Sequence, residues 1–196
     1  PHPNEVRVLA EFVQVLADEM PVFIISGNHD ISQNPTDATA LECLSGIPNV
    51  FLMERPDAHV LNIREQFVRF CGLPYPTKGR LLTQEIAKDV APEQVTAMIN
   101  DGLRAIIQSF LVHQDPGDIN VLLAHGSVST AKVGDQPRSL AHDILIPLEP
   151  CETFDYVALG HIHQPQQLTH NAWYSGSLMR NGFGEEREEK GFNIVE

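Results

Sequence analysis

Apolar and polar positions along this chain mark out helices and strands in turn. From Asn4 to Asp18, Val6, Leu9, Val13 and Leu16, with Phe12 beside them, recur at helical spacing and predict an amphipathic helix. Asn4, just after Pro3, is its expected N-cap. The helix leads into Pro21 to Asp30, PVFIISGNHD. Val22 to Ile25 reads as a fully buried strand, and Gly27 is expected to end it, since glycine turns without steric cost. Asn28, His29 and Asp30 follow at once. They fall at the carboxyl end of a core strand, where α/β sheets place their ligands. A helix feeding a buried strand is the second half of a βαβ unit. No strand precedes Pro1 to supply the first half.

Further on, a short helix is expected around Asp37 to Leu44, stopped at Gly46 and Pro48, then a short strand at Val50 to Met53. Val60 to Ile63 and Gln66 to Leu73 predict an antiparallel pair, broken off by Pro74 and Pro76. Two helices are expected next, Gly79 to Lys88 and Pro92 to Val112, with Pro92 in the first turn. Val95, Met98, Ile99, Leu103, Ile106, Ile107 and Phe110 form the buried face of the second. Asn120 to Ala124 is a second core strand, ending on His125-Gly126, and a loop runs on through Asp143. Tyr156 to Leu159 is a third, ending on Gly160, His161, Ile162 and His163. Ala172 to Ser175 and Phe192 to Val195 read as closing strands. The charge run between them, Gly184 to Lys190, reads as a solvated turn. There is no internal repeat.

Composition narrows the class. The 196 residues suit one domain, 42% hydrophobic and 20% charged. A chain this long buries roughly 70% of its unfolded surface and needs no covalent staples. No apolar run approaches the roughly 20 residues of a membrane span, and nothing at the start reads as a signal peptide. Cys43, Cys71 and Cys151 are odd in number and far apart, which argues for reduced thiols in the cytosol. All three sit in apolar company and are expected to be buried and inert. The net charge of -13 argues against a broad basic surface gripping nucleic acid through phosphates. If the substrate is nucleic acid, metal ions or another segment must supply the positive charge.

Three apolar strands end in the same way, with glycine and histidine at the exit. If they neighbour one another in one buried sheet, their exits lie along one edge, and one Asn and three or four His converge. Imidazole nitrogen and the Asn carbonyl oxygen are good ligands for Mn²⁺, Fe²⁺ or Zn²⁺. The candidate metal ligands are Asn28, His125, His161 and His163, and the last pair, two residues apart, could reach two adjacent ions. All four are neutral, and two divalent ions ~3.5–4 Å apart need a bridging carboxylate. Asp30, Asp37 and Asp155 are the nearby candidates, but none sits at a strand exit beside a glycine. The missing carboxylates and the missing first strand both suggest a chain without its N-terminal segment. His2, His59, His113, His142 and His170 lack partners at ligand spacing. Ser127 and Ser129 lack the base and orienter of a serine hydrolase.

GNHD at Gly27 to Asp30, the His125-Gly126 pair and GHIH at Gly160 to His163 resemble the last three motifs of the calcineurin-like metallophosphoesterases. Within that superfamily the chain is most similar to the SbcD-type DNA repair nucleases. Gly72-Leu73-Pro74-Tyr75 resembles their GLPY segment. Tyr174 to Ser177, Phe183 to Glu186 and Glu189 to Phe192 resemble the signature that closes their nuclease domain.

The resemblance implies an α/β fold, a sandwich of two β-sheets flanked by helices, here lacking its first strands. Residues 1–196 would be a partial nuclease domain, without the DxH and GDxxD motifs that open the family pattern and without the DNA-capping domain. It implies that Asn28, His125 and His161 bind the second metal and His163 the first. His29 would be the catalytic acid near the leaving oxygen, with Asp30 supporting it. Two divalent ions, Mn²⁺ foremost, would serve phosphodiester hydrolysis by an exonuclease and endonuclease in DNA double-strand-break repair. DNA, an SbcC-like ATPase and a second copy in a homodimer are the implied partners, in the cytoplasm and away from membranes. The fragment is expected to be inactive alone. The alternatives are a phosphoesterase acting on a small molecule such as a cyclic nucleotide, and a non-catalytic assembly module.

Overall fold

A computed structural model describes residues 3–31, 39–77, 92–112, 114–132 and 144–196. Helix α1 spans Pro3–Ala17 and feeds strand β1, Val22–Ile25. The helix already begins at Pro3, so Asn4 lies in its first turn rather than at its cap. Its apolar stripe divides: Val13 is buried and Val6 and Leu16 are half-buried, while Leu9 and Phe12 stay exposed. The short helix expected up to Leu44 is a 3₁₀ helix, Ala40–Gly46, and it buries Leu41 and Leu44 against Val13. The helix expected at 79–88 lies outside the described residues.

Strand β2, Val50–Met53, pairs in parallel with β1, from Val22 opposite Val50 to Ile25 opposite Met53. The two form a sheet of their own. Strands β3, Asp57–Ile63, and β4, Gln66–Leu73, make the expected hairpin. Its two-residue turn, Arg64 and Glu65, has φ of 51° and 69°, the left-handed geometry that matches the twist of paired strands. Helix α2, Pro92–Ser109, stops three residues short of the expected end. It buries Val95, Ile99, Leu103 and Ile107, but Met98 remains on the exposed side. Strands β5, Ile119–His125, and β6, Tyr156–Gly160, follow, then β7, Gln166–Gln167, and β8, Ala172–Tyr174.

The second sheet has the order β3-β4-β5-β6-β8-β7. Strands β4, β5, β6 and β8 run parallel, so their carboxyl ends share one edge. The fold is therefore two sheets flanked by helices, as expected. α2 covers one face of the larger sheet, packing Ile99, Leu103 and Ile107 into one core with Cys71, Leu122, Val157 and Tyr174. Between the sheets, Phe23 of β1 stacks on Phe51 of β2 and on Phe70 of β4, with ring centroids 4.7 and 4.0 Å apart.

Three expectations are corrected. β1 is half-buried rather than fully buried, because its two-stranded sheet is too narrow to be covered throughout. It also does not share a sheet with β5 and β6. The third concerns Phe192 to Val195, where the residues form no strand, and Phe192, Ile194 and Val195 are exposed. Apolar alternation favours an extended chain, but a strand needs a paired edge, and among the described residues no strand pairs with this stretch. Asn193 Nδ2 instead donates to the Tyr156 hydroxyl at 3.0 Å. No helix among the described residues is long and apolar enough to cross a membrane.

Candidate metal and phosphoester site

β5 and β6 are adjacent, with His125 opposite Gly160, so the second and third histidine exits meet directly. The Gly126 N–H donates to the Gly160 carbonyl at 3.2 Å and ties the two turns together. β1 reaches the same edge from the other sheet. The Tyr75 N–H, just past β4, donates to the Ser26 carbonyl at 3.0 Å, and the Ser26 N–H donates to the Met53 carbonyl at 3.3 Å. These bonds bring Gly27 and Asn28 against His125.

The contact is close enough to require glycine on both sides of the ring. A Cβ on Gly27 would lie 2.8 Å from His125 Cε1, and one on Gly160 would lie 2.8 Å from His125 Nδ1. Real Cβ atoms do not come so near, so either substitution would displace the imidazole. The glycines that read as strand terminators also form the slot that holds His125.

Asn28 Oδ1 stands 3.0 Å from His125 Nε2 and 3.3 Å from His161 Nδ1. The two imidazoles meet edge to face at 5.5 Å. His161 takes this position with φ of 102°, an uncommon conformation for a residue with a side chain. Burial, with the neighbouring His161 and His29 adding to it, pushes His125 down to about 4, so its ring is neutral at physiological pH. Two imidazoles and an amide oxygen around one point make an N,N,O donor set, which fits one divalent cation.

The carboxylates behave differently. Asp30 Oδ2 accepts the Gly27 N–H at 2.8 Å and braces the GNHD turn. Asp155 accepts the Asn120 N–H at 2.7 Å, at the far end of β5. Asp37 lies outside the described residues. Among the described residues, no three of His, Cys, Asp and Glu gather at metal-binding spacing.

His29 is exposed beside this group, near enough for its charge to be felt at His125. His163 is engaged elsewhere. Its Nδ1 lies 2.8 Å from Glu185 Oε1, in the closing segment. That segment meets the solvated-turn expectation at Gly184, Glu186, Arg187 and Glu189, which are exposed, but not at Lys190 and Glu185, whose side chains are only 9% and 17% exposed. Glu185 is held down to about 2 by hydrogen bonds from Lys190, then from His163 and the Asn181 N–H. Alternating charge reads as solvated when taken locally, but here Lys190 pairs with Glu185 and Glu188 while the charges between them stay in solvent.

Of the remaining histidines, His59 packs near Phe51 and lies 3.5 Å from Asp57, and His170 lines a surface cleft near the C-terminal residues. His2, His113 and His142 lie outside the described residues.

Two further residues shape the site. The Tyr75 ring lies 6.1 Å from that of His125 and 5.7 Å from that of His161. The fully buried Tyr174 donates its hydroxyl to the Gly126 carbonyl at 2.6 Å, fixing the turn after His125, and burial pushes its phenol up. Both lie in segments marked by resemblance, GLPY and YSGS, but no spacing rule ties them to the histidines.

The sequence profile of the calcineurin-like phosphoesterases matches residues 2–165. The chain is also similar, at 26% identity over 203 aligned positions, to the SbcD component of nuclease SbcCD from Staphylococcus epidermidis. That alignment covers 100% of this chain and 51% of the relative, so the chain spans about half the length of the curated relative it matches. Strand-exit histidines gathered at one sheet edge and a profile match over most of the sequence lead to one conclusion. The chain belongs to the calcineurin-like phosphoesterase family, whose members are hydrolases that generally work with divalent metal ions.

Proposed function

We propose that this chain carries part of the active centre of an SbcD-like DNA nuclease, hydrolysing phosphodiesters with Mn²⁺ in double-strand-break repair. The observation that carries this reading is the meeting of Asn28, His125 and His161 around one point, from two different sheets. The similarity to a component of the SbcCD nuclease supports DNA as the substrate class. An SbcC-like ATPase partner, a homodimer and a cytoplasmic location belong to the same reading.

In it, Asn28, His125 and His161 hold one divalent ion through Oδ1, Nε2 and Nδ1. Such an ion, when bound, neutralises phosphate charge and polarises the phosphoryl group. His29, exposed at the turn, gives its imidazole proton to the departing 3′ oxygen. Asp30 keeps the turn in shape through Gly27, which sets where His29 stands. Tyr75 covers the two ligand rings and limits water around them. The first-ion carboxylates come from outside the described residues, and His163 joins that ion.

The 196-residue chain is then expected to bind at most one divalent ion, weakly, and to show negligible nuclease activity. Robust Mn²⁺-dependent DNA cleavage by this chain would sink the proposed division of ligands. Extended upstream by a DxH and GDxxD segment, it should cleave DNA, and His29→Ala should lower that rate about 10²–10⁴-fold, the usual share of a general acid. If the extended protein hydrolysed cyclic nucleotides and ignored DNA, a small-molecule phosphoesterase would be the better reading.

A further inference from the structure

We propose that Glu185, anchored by Lys190, is a positioning residue that fixes the imidazole of His163 with its proton on Nδ1 and its lone pair on Nε2. The proposal rests on the metal role of His163 stated above and adds the group that prepares it.

A carboxylate can only accept, so the 2.8 Å contact between His163 Nδ1 and Glu185 Oε1 places the proton on Nδ1. The Asn181 amide nitrogen lies farther from the same atom, at 3.4 Å, and does not compete. With Nδ1 protonated, a neutral ring offers its lone pair at Nε2. Metal-binding histidines are commonly prepared in this way, with a second group holding the other nitrogen and setting the ring orientation.

Glu185 is itself held. Its Oε2 pairs with Lys190 Nζ at 2.8 Å and accepts the Asn181 N–H at 3.1 Å. Lys190 Nζ also donates to Ser177 Oγ at 2.8 Å, Glu188 Oε2 at 2.6 Å and the His163 carbonyl at 3.0 Å. The closing segment therefore grips His163 twice, at the ring through Glu185 and at the main chain through Lys190. The Ser177 N–H adds a third bond, to the same carbonyl at 3.1 Å. Gly176 makes this approach feasible, because at φ of 79° a Cβ there would lie 2.5 Å from the His163 carbonyl oxygen. A lysine side chain 9% exposed, among four polar partners, is a fixed post rather than a solvated charge. The His163 side chain is 50% exposed, so the contact with Glu185 does not enclose it.

Imidazole nitrogen–proton correlation spectra of the metal-free 196-residue chain, with His163 assigned by its loss in His163→Gln, test this directly. The wild type should show His163 protonated at Nδ1 and bare at Nε2. Glu185→Ala should lose that fixed form and move toward Nε2–H, which free histidine prefers. Lys190→Met should move it partway, with the other histidines unchanged. A wild-type ring protonated at Nε2, or a Glu185→Ala ring still fixed at Nδ1–H, would overturn the proposal. Should Glu185→Ala fail to fold, the wild-type spectrum and Lys190→Met still decide. Mn²⁺ titrated alone separates this inference from the proposed function. A fixed Nδ1–H lost in Glu185→Ala, with no Mn²⁺ bound at Asn28, keeps the positioning role and removes the metal site.

Discussion

His125 and His163 stand at successive strand exits in the sequence and are held by opposite means. His125 sits in a slot between Gly27 and Gly160, in a buried sheet edge, with its charge driven off by burial. His163 is half-exposed, and hydrogen bonds from the closing segment hold it, one of them to a Glu185 carboxylate anchored by its ion pair with Lys190. One histidine is placed by shape and the other by charge. Shape tolerates salt but no added atom. Charge tolerates modest changes of shape but depends on the ionisation of its partners.

The largest expected effect is on pH dependence. In the metal-free chain His125 is held at about 4 against an ordinary 6.5, so the unfolded state takes up the proton first. Stability tied to His125 is complete above 6.5 and is lost as pH falls from 6.5 to 4, on the order of 3 kcal/mol at full extent. Glu185 titrates lower: its contribution is present above 4.5 and is lost as pH falls toward about 2. Urea melts at stepped pH should therefore show two separate losses, and His125→Gln should remove only the upper one. A single loss below pH 4.5 would mean that burial does not control His125.

Glycine substitutions sharpen the contrast at smaller amplitude. Gly160→Ala should push the His125 ring aside and cost about 1–3 kcal/mol, as overpacking does, while leaving the His163 spectrum as in wild type. Gly176→Ala should do the converse. It forces a side chain into a left-handed conformation, at about 1–2 kcal/mol, and detaches the closing segment from His163. If either variant disturbed both histidines equally, the two regions would be one mechanical unit.

The smallest effect is chemical and leaves stability unchanged before labelling. Burial pushes Cys71 and Cys151 up to about 12, whereas Cys43 is exposed, against the expectation that all three are buried. An aromatic disulfide reagent at pH 8 should label one thiol quickly and the other two only on unfolding. Rapid labelling of Cys71 would show that the core of the larger sheet opens more readily than its packing implies.

Much of this was legible in the sequence because it is local. Apolar runs at Val22 to Ile25, Asn120 to Ala124 and Tyr156 to Leu159 specify strands whatever their neighbours, and glycine with histidine at each end marks an exit. Asn28, His125 and His161 followed from that pattern, and the structure brings them together. The two-sheet fold came with the family resemblance. The unpaired stretch at Phe192 to Val195 shows the limit, since apolar alternation does not reveal whether an edge is available for pairing.

By itself, the sequence determined which residues stand at the strand exits and which of them have ligand chemistry. Tertiary structure alone decided that β1 reaches the site from a separate sheet, that Gly27 and Gly160 close on His125, and that His161 takes a φ of 102°. It alone also turned Glu185 and Lys190 inward onto His163. The physical reason is range. Strand propensity and turn chemistry act over a few residues, whereas a close approach such as that of His161 to Asn28 joins segments 133 positions apart.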